Sequence, residues 1–109
     1  MTKICVYKKG LHIVKYTVEG HAGYAETGSD IVCAAVSTIA THTLNGLTEI
    51  VKIPVGYEVR DAYFECIVPD KMSEDERKQS DILLDAMYLT FKDLEEQYKE
   101  YITIIDMEV

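Results

Sequence analysis

The sequence lacks a continuous apolar run of the roughly 20 residues that a membrane-spanning helix needs. Its first residues, MTKICVYKK, also lack the apolar stretch and the small-residue cleavage site of a signal peptide. We therefore expect a cytoplasmic protein with no membrane partner. The length of 109 residues suits one domain, and we predict a single domain over residues 1–109.

Cysteine is scarce, and its spacing excludes two classes of protein. Cys5, Cys33 and Cys66 lie far apart in the sequence and form no C-x-x-C pair. This pattern supports neither a disulfide framework nor a zinc site. We therefore predict three reduced thiols, no metal and no cofactor.

Basic residues are also few, and they are scattered along the chain. The 11 basic residues face 19 acidic ones, which gives a formal net charge of -8. A nucleic-acid-binding surface normally needs a basic patch, so we expect no direct nucleic-acid partner. The acidic balance suits a basic peptide or protein partner, and it also serves solubility alone.

The pattern of apolar residues predicts five strands and two helices in the order β-β-α-β-β-α-β. We place strands at 3–8, 11–19, 50–60, 62–68 and 101–109, and helices at 30–48 and 74–99. Ser73 and Glu76 form a capping box that opens the second helix, whose core stripe is predicted to include Leu83, Met87, Leu94 and Tyr98. This order favours an α+β domain with both helices on one face of a mostly antiparallel sheet. Dimerisation is one way to cover its open face or an exposed edge.

A loop over residues 20–29 precedes the first helix and carries Gly20, Gly23 and Gly28 as flexible or hinge positions. Ser29 or Asp30 is predicted to cap the helix. With Asp30 as the cap, Cys33 becomes the third helical residue, beside amides that have no partner in the helix. A thiolate is stabilised there, and the same amides suit an oxyanion.

His21 opens this loop, and an imidazole that folds back over the helix start would act as a base for Cys33. Asp30 either caps the helix or orients the imidazole, and Ser37 lies one helical turn after Cys33. Tyr24 is either a substrate contact or an ordinary surface aromatic. The structural alternatives are a buried helix cysteine and a solvated loop histidine. We predict structural roles for Cys5 and Cys66, and His42 is the alternative base.

The stretch GHAGYAETGSDIVCAAVS resembles the signature of the ribosomal-processing cysteine protease family, Prp. That signature has a Gly-His pair, a spacer, Gly-x-Asp, two aliphatic residues, cysteine and then Ala or Ser followed by Ala. Gly20-His21, Gly28-Ser29-Asp30, residues 31–32, Cys33 and residues 34–35 match its elements in order. The resemblance covers the whole chain in length and element order.

The resemblance implies a bacterial cytoplasmic endopeptidase that acts as a homodimer. Such an enzyme removes a short N-terminal extension from a large-subunit ribosomal protein, after an aromatic pair and before a small residue. It implies that Cys33 is the nucleophile, that His21 is the general base, and that the loop moves to admit a peptide. The alternative hypothesis is a non-enzymatic, ribosome-associated binding module in which the loop only recognises a partner.

Overall fold

The computed structural model describes residues 1–20 and 27–109, and for residues 27–30 we describe the backbone alone. The elements are β1 (Thr2–Lys9), β2 (His12–Glu19), α1 (Thr27–Asn45), β3 (Gly56–Arg60), β4 (Tyr63–Ile67), α2 (Glu74–Gln97) and β5 (Ile102–Glu108). A π-helical segment at Gly46–Val51 follows α1 directly. The predicted α+β class and element order are confirmed.

The five strands form one mixed sheet in the order β3-β4-β2-β1-β5. Antiparallel pairing joins β1 to β2, β2 to β4 and β3 to β4. The C-terminal strand β5 pairs in parallel with β1, at the edge opposite β3. The sheet is therefore mostly antiparallel, as predicted, with β3 and β5 as its two edges.

One face of the sheet forms the core with both helices. The alternating residues that share this face are buried: Ile4, Val6, Tyr16, Val18, Phe64 and Cys66. They pack against buried residues of both helices, including Val36 of α1 and Leu84 of α2. The Tyr16 hydroxyl donates a 2.9 Å hydrogen bond to the carbonyl oxygen of Ala40. This buried bond ties α1 to β2 and fixes its position over the sheet.

The first helical region differs from its prediction at both ends. α1 begins at Thr27, three residues earlier than predicted. The π-helical segment Gly46–Val51 covers the predicted end of the helix at residues 46–48 and the first two residues of the predicted strand, 50–51. Of the predicted strand 50–60, Gly56–Arg60 forms a strand in the sheet. Packing against α2 explains why the helical region extends beyond its predicted end. A Cβ on Gly46 would lie 2.9 Å from a methyl carbon of Leu83, so the segment passes close to α2, and Leu47 is fully buried.

The second helix confirms its predicted start and corrects its predicted core face. Ser73 Oγ accepts from the Glu76 amide at 3.1 Å, and Glu76 Oε1 accepts from the Ser73 amide at 2.9 Å. The buried residues of α2 are Ser80, Leu84, Met87 and Phe91. Met87 is the one residue of the predicted stripe that is buried in the core. Leu83, Leu94 and Tyr98 are partly buried and pack against the core from outside.

By length and composition, the helical segment Ile31–Val51 is apolar enough to cross a membrane. This property was not predicted from the sequence, which has no continuous apolar run of that length. Five of its residues belong to the core of this domain: Val32, Val36, Ala40, Leu44 and Leu47. A buried core helix of a globular domain passes the same test, and the packing of α1 is of that kind.

Candidate active site

An open cleft of about 470 Å³ lies between α1 and the β3–β4 hairpin. One wall comes from successive turns of α1, the other from the hairpin, and residues of β2 and the chain just after it complete the lining. The lining residues are Cys33, Ala34, Ser37 and Thr41 of α1, residues 59–64 of the hairpin, and Val18 and Gly20.

Cys33 is the cysteine that borders this cleft. Its side chain is half-buried, whereas Cys5 and Cys66 are buried. Burial raises the pKa of the Cys66 thiol to about 11, so this thiol stays protonated at neutral pH and is not a nucleophile. The predicted structural roles of Cys5 and Cys66 agree with their burial. Cys33 is left as the candidate nucleophile.

The helix start corrects the predicted surroundings of Cys33. Because α1 begins at Thr27, Cys33 is its seventh residue and lies in its second turn. Asp30 is therefore inside the helix rather than its N-cap, and so are Gly28 and Ser29, which were predicted as loop or cap. The backbone amides that lack helical partners belong to the start of the helix, at and just after Thr27, about one turn before Cys33. The thiol thus lies near the positive end of the helix but outside its first turn.

Gly20 holds the chain at the rim of the cleft. Its amide donates a 3.0 Å hydrogen bond to the carbonyl oxygen of Ala62, at the tip of the β3–β4 hairpin. Its φ is +80°, and an added Cβ would lie 2.6 Å from the carbonyl oxygen of Met1. Glycine is thus required here for both conformation and space. Gly20 lines the same cleft as Cys33, and it immediately precedes His21 in the sequence.

The hairpin also carries a paired set of charges, in which Arg60 and Tyr63 border the cleft and their acidic partners lie outside it. Arg60 Nε donates to Glu58 at 2.6 Å, and its guanidinium lies 4.2 Å from the centre of the Tyr63 ring. The Tyr63 hydroxyl donates to Glu65 at 2.9 Å, and this bond raises the pKa of Tyr63, which therefore stays neutral. Asp61 is exposed at the hairpin tip and adds a carboxylate to the cleft border.

The structure brings three of the predicted site residues together: Cys33, Ser37 and Gly20. His21, Gly23 and Tyr24 lie outside the described residues. Sequence analysis did not identify the opposite wall, including Val59 and Asp61. Its only signal in the sequence is the alternating apolar pattern of the hairpin. Among the described side chains, no group of three histidine, cysteine or acidic residues is close enough to hold a metal ion.

Known proteins share both the sequence pattern and this architecture. A family model described as cysteine protease Prp matches residues 1–103. The chain is 25% identical over 96 residues to the ribosomal processing cysteine protease Prp of Bacillus subtilis strain 168, covering 84% of each chain. It is also 25% identical over 89 residues to the Prp of Staphylococcus aureus strain Mu50, covering 80% of each.

Two solved structures have the same fold. The crystal structure of SMU.848 from Streptococcus mutans matches with a TM-score of 0.82 and 25% identity, covering 100% of this chain and 96% of that one. The S. aureus Prp in complex with a substrate peptide matches with a TM-score of 0.85 and 20% identity, covering 97% and 99%. The fold and the family match define a cysteine protease. The chain belongs to the cysteine protease Prp family.

Proposed function

We propose that this protease removes a short N-terminal extension from a large-subunit ribosomal protein, cutting after an aromatic pair and before a small residue. Cys33 is the nucleophile and His21 the general base. One observation carries the proposal: the half-buried Cys33 lines an open cleft, whereas the other two cysteines are buried. The curated relatives named ribosomal processing cysteine proteases support the substrate class.

In the proposed mechanism, the imidazole of His21 takes the thiol proton and the sulfur attacks the carbonyl carbon of the scissile bond. The imidazolium then protonates the leaving amine as the C–N bond breaks, which leaves a thioester on Cys33. Water, deprotonated by the same imidazole, attacks the thioester and releases the carboxylate and the thiol. Ser37 is the hydroxyl donor beside the reacting sulfur, and Asp30 orients the imidazole.

The test of the nucleophile is cleavage of the extended ribosomal protein, followed by gel mobility and mass spectrometry. Cys33→Ala and Cys33→Ser should each lower kcat/KM by at least about a thousandfold while the circular dichroism spectrum is unchanged. Cys5→Ala is the matched control and should retain cleavage. A folded Cys33→Ala variant that cleaves at the normal rate contradicts the proposal.

Thiol labelling at a series of pH values distinguishes the protease hypothesis from the binding-module hypothesis. Cys5 and Cys66 are buried, so their slow reaction with iodoacetamide reflects burial alone. The informative quantity is the pH dependence of labelling at Cys33. A thiol paired with His21 should still react fast in mildly acidic buffer, where an unpaired thiol reacts slowly, and His21→Ala should remove that reactivity. An unchanged profile in His21→Ala rejects the histidine as the base and favours the binding module.

We also propose a cytoplasmic homodimer. The exposed Ile82 and Leu89 lie seven residues apart on α2, so they share one outward face and offer apolar area to a second copy. Light scattering across a range of protein concentrations measures the assembly state. A monomer at all concentrations rejects the dimer without affecting the proposed chemistry.

A further inference from the structure

The edge strand β3 bears two exposed apolar side chains on the face that the helices cover elsewhere. Tyr57 and Val59 are 63% and 61% exposed. Their cross-strand partners on β4 are Cys66 and Phe64, which are buried beneath the helices. The helical cover of the sheet therefore ends between β4 and β3. An exposed apolar pair on an edge strand invites wrong pairing unless it serves a partner.

This uncovered strip is continuous with the cleft that contains the candidate nucleophile. Val59 and Cys33 line the same cleft from opposite walls. Tyr57 lies two residues before Val59, which places it about 7 Å further along the strand. The strip therefore begins at the cleft wall that faces the thiol and continues along the helix-facing side of β3 from Val59 to Tyr57.

We propose that this strip is a substrate-positioning track, on which a peptide lies extended with alternate apolar side chains packed on Val59 and Tyr57. The inference rests on the proposed function and adds a spacing rule to it. Side chains of an extended peptide that point to one side recur every second residue, at the same spacing as Val59 and Tyr57. Val59 contacts the substrate side chain nearer the scissile bond, and Tyr57 contacts the one two positions further away.

Double-mutant cycles between enzyme and substrate test this track. The probe is a ten-residue peptide that spans the cleavage junction of the ribosomal protein, with alanine placed at each position in turn. Val59→Ala and Tyr57→Ala should each lower kcat/KM about tenfold, chiefly through KM, because they remove contacts present before and during the reaction. Both side chains are largely exposed, so neither change should unfold the protein.

The positions that couple are the decisive result. For each variant, kcat/KM should no longer respond to alanine at one peptide position. The position that couples to Tyr57 should lie two residues further from the scissile bond than the position that couples to Val59. Ile67→Ala is the control, since Ile67 is an exposed apolar residue of the same hairpin on the opposite face of the sheet. Normal kcat/KM in both variants, loss in kcat alone, or coupling at any other spacing overturns the track.

Binding separates this inference from the proposed function. The labelled peptide is titrated by fluorescence anisotropy into Cys33→Ala, alone and combined with Tyr57→Ala or Val59→Ala. Weaker binding of about tenfold in the combined variants supports the track even where no cleavage occurs. Equal peptide affinity in all three proteins overturns the track, and this outcome does not depend on whether the wild-type protein cleaves the peptide.

Discussion

At the scale of single residues, Gly20 and Gly10 form a natural comparison. Both have positive φ, near +80° and +63°, where other residues are strained. A Cβ on Gly10 would meet nothing within 4 Å, whereas one on Gly20 would meet the backbone of Met1. Gly20 lines the cleft, and Gly10 lies in the β1–β2 turn. An alanine at Gly10 therefore tests the effect of backbone strain alone, whereas an alanine at Gly20 tests strain together with displacement of the cleft rim.

Gly20→Ala should lower the free energy of unfolding by about 2 to 3 kcal/mol, because φ strain and a clash with Met1 act together. It should also lower kcat/KM, since the chain that leads to His21 must shift at the cleft rim. Gly10→Ala should cost about 1 kcal/mol and leave kcat/KM unchanged. Urea denaturation and peptide cleavage measure both quantities. Equal kcat/KM for the two variants would show that Gly20 does not position the site.

Cys66 makes stability sensitive to alkaline pH. Its thiol pKa rises from 9.0 to about 11 through burial, so between these values the unfolded chain loses a proton that the folded protein keeps. Stability is therefore full below pH 9 and declines as pH rises toward 11, by up to about 3 kcal/mol. Burial also raises the pKa of Tyr16, which adds to the decline above pH 10.

Cys66→Ala isolates the contribution of this thiol. The variant should be less stable at every pH because of the cavity, and its stability should fall less steeply between pH 9 and 11 than that of the wild type. Urea unfolding at a series of pH values gives both slopes. Parallel slopes would assign the alkaline loss to other groups, including Tyr16.

At the scale of elements, the capping box at the start of α2 offers a local test of stability. Ser73 and Glu76 each satisfy the other's backbone amide. Ser73→Ala should cost about 1 kcal/mol in the free energy of unfolding, and Glu76→Ala should cost less. Because each bond helps to hold the other, the double variant should cost less than the sum of the two single changes. Strict additivity in urea denaturation would show that the two bonds act independently.

Elements with strong local signals were predictable from sequence, whereas those that packing decides were not. The alternation in β2 and the capping box of α2 gave correct elements. Alternation at Val51, Ile53 and Val55 resembles a strand, yet the chain is helical to Val51, where it passes close to Leu83 of α2 and buries Leu47. Gly28 and Ser29 resemble a loop, but α1 extends through them, because adding a turn costs little once a helix has nucleated.

At the scale of the whole molecule, strand order determines the site. Helical spacing predicted that Cys33 and Ser37 share a face, because that relation is local. The opposite wall depends on β4 pairing with β2, which brings the β3–β4 hairpin alongside α1. Local patterns do not encode that pairing, so Val59 and Asp61 were not predicted as site residues. The parallel pairing of β5 with β1 escaped prediction for the same reason.

The net charge of -8 gives the proposed basic substrate a long-range attraction to the whole enzyme. Salt weakens such attraction, since the screening length falls from about 10 Å at 0.1 M to about 3 Å at 1 M. For a basic extension peptide, kcat/KM should therefore drop several-fold between about 0.05 and 0.5 M NaCl. A peptide with its lysines and arginines replaced by glutamine should show little change, and Asp61→Asn should reduce the slope because Asp61 borders the cleft. An equal salt response for both peptides would mean that the acidic surface serves solubility rather than substrate capture.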